Sequence, residues 1–168
     1  LEVRDLSVEF KTDRGCVRAV DHVDLDLQRG EFVGIVGESG CGKSTLLFAI
    51  AQLLDAPATI TGGSVHFHGS DLVAMTESEL RSVRWRDYSV VMQSAMNALN
   101  PVLQVGAQFK DVLRAHGTTD RDEIRSRSEE VIGLVGIEAT HLKSYPHQLS
   151  GGMRQRIMIA MALVLAAY

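Results

Sequence analysis

Leu6, Val8 and Phe10 alternate with Ser7 and Glu9, and Val23, Leu25 and Leu27 alternate with Asp24 and Asp26. Apolar residues at every second position suit strands with one covered face, because successive side chains point to opposite sides. Residues 11–15 supply turn residues between them. Residues 31–37, Glu-Phe-Val-Gly-Ile-Val-Gly, form a short continuous apolar run, the pattern of a strand buried on both faces of a mostly parallel sheet. Leu46, Leu47, Ala49, Ile50, Leu53 and Leu54 then recur at helical spacing, so the order is strand, glycine-rich turn, helix. Residues 56–63 read as a loop, followed by a short strand in which Val65 and Phe67 face one way and His66 and His68 the other. Residues 89–93 read as a second buried strand, and from Ser94 to Gln148 the pattern turns helical. Helices are expected over residues 105–116 and 120–135, the second with Thr119 as N-cap, and Ser150 opens a last helix from Met153 to about Ala167. The expected division is a core over residues 1–93, a helical subdomain over 94–148 and a final segment 149–168, in an α/β chain.

The turn after the first buried strand has a defined chemistry. Gly37, Glu38, Ser39, Gly40, Cys41, Gly42, Lys43, Ser44 and Thr45 satisfy G-x-x-x-x-G-K-[ST], between a strand and a helix. Phosphate oxygens need several N–H donors converging on a small volume. Gly37, Gly40 and Gly42 let the backbone curl without Cβ clashes, and the helix start adds partial positive charge. Lys43 brings a full charge to the β- and γ-phosphates, Ser44 offers a hydroxyl to Mg²⁺, and Thr45 can donate to the α-phosphate. Cys41 stands at a free position where only the backbone works.

A second glycine pair, Gly151 and Gly152, follows Ser150 where a strongly apolar helix begins, although each glycine costs about 1 kcal/mol relative to Ala inside a helix. Ser150 as N-cap with two exposed N–H groups behind it makes a second anion site. One nucleotide has one γ-phosphate, already engaged from the loop side, so the two sites suit a nucleotide clamped between them. A two-fold dimer lets each copy cover the other's ligand.

With Leu149-Ser-Gly-Gly-Met-Arg-Gln-Arg156 downstream of the glycine loop, the whole chain resembles the ATP-binding subunit of ABC transporters. The resemblance implies an ABC-type P-loop ATPase core with an N-terminal antiparallel β region and an inserted helical subdomain, using ATP and Mg²⁺. It implies Lys43 and Gln93 as catalytic residues and Ser44 and Gln93 as metal contacts. Gln93 matches the glutamine that contacts Mg²⁺ and the attacking water and passes movement to the membrane subunits. Ser150, Gly151 and Gly152 match the signature motif, which contacts the γ-phosphate of ATP held by the partner subunit. Val17-Arg-Ala-Val-Asp21, Gly37-Glu-Ser-Gly40, Asn97-Ala-Leu-Asn-Pro101 and Tyr145-Pro-His-Gln-Leu-Ser-Gly-Gly-Met153 resemble the oligopeptide, dipeptide and nickel importer branch. Gln93-Ser-Ala-Met departs from that branch's Gln-Asp-Pro-Met and leaves the substrate subclass open. The implied partners are a second ATP-binding subunit, identical or not, transmembrane permease subunits and, indirectly, a solute-binding protein, at the cytoplasmic face of the cell membrane. The family's Walker B aspartate, catalytic glutamate, D-loop and switch histidine follow the signature helix, and the expectation is that this chain is part of a longer protein. Phe10 is a candidate for the family's adenine-stacking aromatic, but its alternation with Leu6 and Val8 places it in the core.

Composition narrows the alternatives. The 168 residues are 45% hydrophobic and 23% charged, ordinary for a globular chain, and 17 Lys and Arg against 21 Asp and Glu give a net charge of -4. That sign disfavours a nucleic-acid partner, so Arg81, Arg84 and Arg86 around Trp85 read as a solvated basic face. Two cysteines, Cys16 and Cys41, are too few for a disulfide framework or zinc site, and His66 and His68 lack a third ligand. The apolar run over residues 157–167 falls short of the roughly 20 residues a spanning helix needs. Non-transport ATPases of the ABC type, translation factors or DNA-maintenance enzymes, are the alternative. Chromosome ATPases separate the two motifs by long coiled coils, absent here, and the GTPase motifs D-x-x-G and N-K-x-D do not occur.

Overall fold

The computed structural model describes residues 1–92 and 98–165. The chain forms two compact units, Leu1–Leu80 and Arg81–Tyr168.

The first unit is built on an antiparallel sheet of order β2-β1-β3-β4, with β1 Glu2–Thr12, β2 Gly15–Asp26, β3 Ala58–Phe67 and β4 Ser70–Asp71. In β1 Leu6 and Val8 are fully buried as expected, but Ser7 between them is buried as well, where the ladder to β2 shifts register, so the strict alternation does not hold; the hairpin closes at the expected turn, with Thr12 opposite Gly15. The β1/β3 register slips between Arg4/Ser64 and Ser7/Gly62. The bulge is fixed from both sides: Asp5 has a φ of 52°, and Gly63, at φ +89°, lies so close that an added Cβ would fall 2.5 Å from the Arg4 and Asp5 carbonyl oxygens. Helix α1, Lys43–Ile50, packs against β1 and β2. A 3₁₀ turn, Leu72–Ala74, is capped by Asp71, whose Oδ1 accepts from Val73 N–H and also from Val65 N–H, both at 3.1 Å. Helix α2 spans Glu77–Val83.

The second unit is helical: α3 Val105–Ala115, α4 Arg121–Leu134 and α5 Gly151–Leu163, with 3₁₀ turns at Ala139–Lys143 and Pro146–Gln148. Val105, Phe109, Val131, Ile132 and Ile157 are fully buried at its centre, and Trp85 packs partly buried against them. Two arginines tie α4 to α5. The Arg127 guanidinium donates to the Leu163 and Val164 carbonyls at the end of α5. Arg156 of α5 donates to the Val135 and Gly136 carbonyls at the end of α4, at 3.1 and 3.0 Å. Each helix therefore satisfies the orphan carbonyls of the other, which sets the two antiparallel. No helix among the described residues is long and apolar enough to cross a membrane.

Several expectations are corrected. Residues 31–37 are not in a strand, with Phe32 fully exposed and Val36 nearly so. A central parallel strand needs neighbours on both edges, and among the described residues none pairs with this segment. Residues 89–92 likewise form no strand; beside them there is one isolated bridge, Arg84 to Tyr88, and Val91 and Met92 are exposed. Residues 58–63 belong to β3 rather than a loop. Helix α1 stops at Ile50, before Leu53 and Leu54, because Gln52 turns left-handed at φ 53° and Leu53 N–H bonds back to the Phe48 carbonyl. The N-cap of α4 is Asp120 instead of Thr119: its carboxylate accepts from the Asp122 and Glu123 N–H groups, at 2.9 and 2.8 Å, with a charge that suits the helix start. His68 lies beyond the end of β3 at φ 50°, so His66 and His68 do not share a strand face. Phe10 is half-buried and lies opposite the exposed Val17, outside the sealed core of Leu6 and Val8.

Candidate functional site

The glycine loop reaches α1 through Gly42, the helix N-cap, which has a φ of 96° and no side chain to offer the first turn. Among the described residues the N–H groups of Lys43, Ser44 and Thr45 have no acceptor, whereas Leu46 N–H bonds the Gly42 carbonyl at 2.8 Å. Those free donors point along the positive end of the helix dipole. Gly42 also backs directly onto β2: a Cβ there would lie 2.3 Å from the Ala19 carbonyl oxygen. The hairpin strand thus holds the loop from behind, a contact that the motif's spacing does not reveal.

Lys43 folds across the loop. Its Nζ donates to the Gly37 carbonyl at 2.8 Å and the Glu38 carbonyl at 2.5 Å, and lies 3.5 Å from Cys41 Sγ. The ammonium is therefore already at the centre of the curl formed by the backbone, where an anionic group would meet it. Cys41 points inward: a Cβ on Gly37 would come within 2.7 Å of its sulfur. Ser44 is exposed, and among the described residues its hydroxyl has no hydrogen-bond partner. One free hydroxyl beside a set of free N–H donors fits a hard cation that takes its other oxygens from phosphate and water. No cluster of three or more His, Cys, Asp or Glu that could hold a metal occurs among the described residues.

At the second glycine pair, Ser150 is the N-cap of α5 and its Oγ accepts from Met153 N–H at 3.3 Å. The space beside Gly152 is open, with nothing within 4 Å of where a Cβ would stand. Among the described residues, packing does not account for its being glycine. The turn before it is braced by Gln148, whose Oε1 accepts from Tyr145 N–H at 2.7 Å, and by the buried Leu149. Gln93 lies outside the described residues, as do Ser94 to Asn97. Arg86 is paired with Asp87 at 2.8 Å. Trp85 is committed to the helical core instead of standing free to stack on a base.

One residue escaped the sequence reading. Gln108, buried on the apolar stripe of α3, accepts from Asn100 N–H and donates to the Asn100 and Leu103 carbonyls at 2.9 to 3.1 Å. It fixes the segment that leads into α3. A polar residue interrupting the Val105, Phe109, Leu113 stripe was the available signal.

The loop, the helix it opens and the Ser150-capped helix with its glycine pair define a P-loop nucleotide-binding chain. Residues 20–168 match the ABC transporter family, and the chain belongs to that family. It is 45% identical over 167 residues to the dipeptide transport ATP-binding protein DppD of Bacillus subtilis, covering 98% of this chain and 50% of DppD. Among solved structures it is similar to MJ0796, described as a bacterial ABC transporter cassette in dimeric form, with a TM-score of 0.86 and 30% identity over 98% of this chain and 69% of that one. A post-hydrolysis state of MJ0796 bound to ADP and Pi matches with a TM-score of 0.85, 30% identity and the same coverage. The fold is therefore the α/β P-loop fold of the ABC cassettes. The chain spans about half the length of the curated relatives it matches.

Proposed function

We propose that this chain is the nucleotide-binding part of an ABC importer ATPase, coupling ATP binding and hydrolysis to the uptake of peptides or a related solute such as nickel. The observation that carries the reading is the Lys43 ammonium held at the centre of the loop, with the N–H groups of Lys43, Ser44 and Thr45 free among the described residues. The relative named for dipeptide transport and the cassette solved with ADP and Pi support the same direction.

In this reading the N–H groups of residues 43–45 receive the phosphates, and the Lys43 ammonium exchanges the Gly37 and Glu38 carbonyls for β- and γ-oxygens. Ser44 would hold Mg²⁺, with Gln93 as a further contact, and that ion supplies neutralisation of charge on the phosphates. Gly40 and Gly42 keep the backbone close enough for direct donation. Ser150, Gly151 and Gly152 close over the γ-phosphate of a nucleotide on a partner subunit, which the open space beside Gly152 leaves room for. The helical segment of residues 94–148, as a subdomain between a core of residues 1–93 and the last segment 149–168, carries movement to transmembrane permease subunits on the cytoplasmic face of the membrane. A solute-binding protein delivers cargo to the far side.

The test is nucleotide binding by Lys43→Ala. Replacing the nearest full positive charge should weaken Mg-ATP affinity at least about a hundredfold at moderate salt, from loss of charge-assisted hydrogen bonds. Equal affinity in the variant and the unaltered chain would refute the assignment.

A further inference from the structure

A cleft of about 490 Å³ lies in the helical unit between α3, α4 and the 3₁₀ turn Ala139–Lys143, sharing no residue with the glycine loop. Its volume falls within the roughly 300 to 1,000 Å³ usual for small-molecule sites. Its lining carries Lys110, Arg114, Arg121, Arg125 and Lys143 against one carboxylate, Glu129. Glu129 is already bound to Arg125 at 2.8 Å, and among the described residues the other four cations form no ion pair. In a chain whose net charge is -4, this is a local concentration of positive charge against the overall sign.

Lys110 and Arg114 on α3, and Arg121 and Arg125 on α4, are like-charge pairs one turn apart, which repel. The walls behind them are fixed by backbone. Gly106 brings α3 so near the 3₁₀ turn that a Cβ would stand 3.0 Å from the Leu142 carbonyl oxygen, and Val105 N–H bonds the Ser144 carbonyl at 3.0 Å. The buried Ile124 lies on the lining as an apolar patch. A firm floor with arginine forks on flexible stems suits a compact ligand carrying several anionic oxygens.

We propose that this cleft binds a phosphorylated small molecule, independently of the loop at residues 37–45. The inference does not depend on the transport reading and can stand or fall separately from it. The probe is tripolyphosphate, titrated calorimetrically into the full chain and into Lys43→Ala. The unaltered chain should show two sites and Lys43→Ala one. Arg121→Ala with Lys143→Ala should remove one site from the unaltered chain and weaken binding to Lys43→Ala at least about tenfold, while Arg121→Lys with Lys143→Arg retains it. Lys11→Ala with Arg14→Ala, on the hairpin turn, should leave it unchanged. Absence of saturable binding in Lys43→Ala together with a single site in the unaltered chain would overturn the proposal. So would equal weakening by the hairpin pair, or binding to phosphatidylserine vesicles without binding of soluble tripolyphosphate.

Discussion

Gly42 carries two constraints at once, a φ of 96° and a backbone carbonyl 2.3 Å from where its Cβ would be. Gly40 carries only the first, with φ +82° and open space around it. Gly42→Ala should therefore cost more than the roughly 1–3 kcal/mol expected of a strained backbone alone, because the Ala19 carbonyl belongs to a paired strand and cannot yield cheaply. Gly40→Ala should stay within that range. Urea midpoints of the two variants make the comparison, and equal losses would mean that β2 does not press on the loop. At this scale the sequence was informative about chemistry and silent about support. The spacing of Gly37, Lys43 and Ser44 identified an anion cradle, since backbone donors and a terminal ammonium need only local geometry. Ala19 behind Gly42, and Gln108 in its three hydrogen bonds, depend on partners distant in sequence or on a loop path that no local pattern encodes.

Among the elements, those with a strong period and local end signals were legible, as β1, β2, α3, α4 and α5 attest. Period-two alternation and capping residues act within one turn or one pair of strands, so little beyond the segment decides them. Ends were harder: Asp120 displaced Thr119 by one position, and Gln52 closed α1 ahead of two leucines that continue its spacing. The arginine bonds between α4 and α5 were invisible for another reason, because a charged residue in a helix reads as solvent-facing until its partner is known. Arg156→Met should keep the aliphatic stem and lose two hydrogen bonds to carbonyls that close α4. A loss of about 1 kcal/mol is expected for this exposed group. Arg127→Met should cost more, since that side chain is more buried and also pairs with Glu130 at 2.8 Å. Thermal or urea unfolding of the two variants checks the order.

Over the whole molecule, the least legible feature is the fate of the apolar run at residues 31–37. Its composition is that of a sheet interior, yet Phe32, Val33 and Val36 face solvent. A buried parallel strand is specified jointly with its neighbours, so a reading of one segment cannot say whether they are there. Exposed contiguous apolar surface associates in water. The chain should self-associate as its concentration rises, and Phe32→Ser with Val36→Ser should reduce that without lowering the unfolding midpoint of either unit. Light scattering and a denaturant series on the same samples separate the two effects; unchanged association in the double variant would place the sticky surface elsewhere.

The paired arginines of α4 and α5 have a mechanical corollary. For one helix to slip lengthwise past the other, both grips must open together, since each guanidinium holds the far end of its neighbour. A small load along α4 is therefore resisted at two points instead of one, and α5, with the Ser150 turn at its start, shares that load.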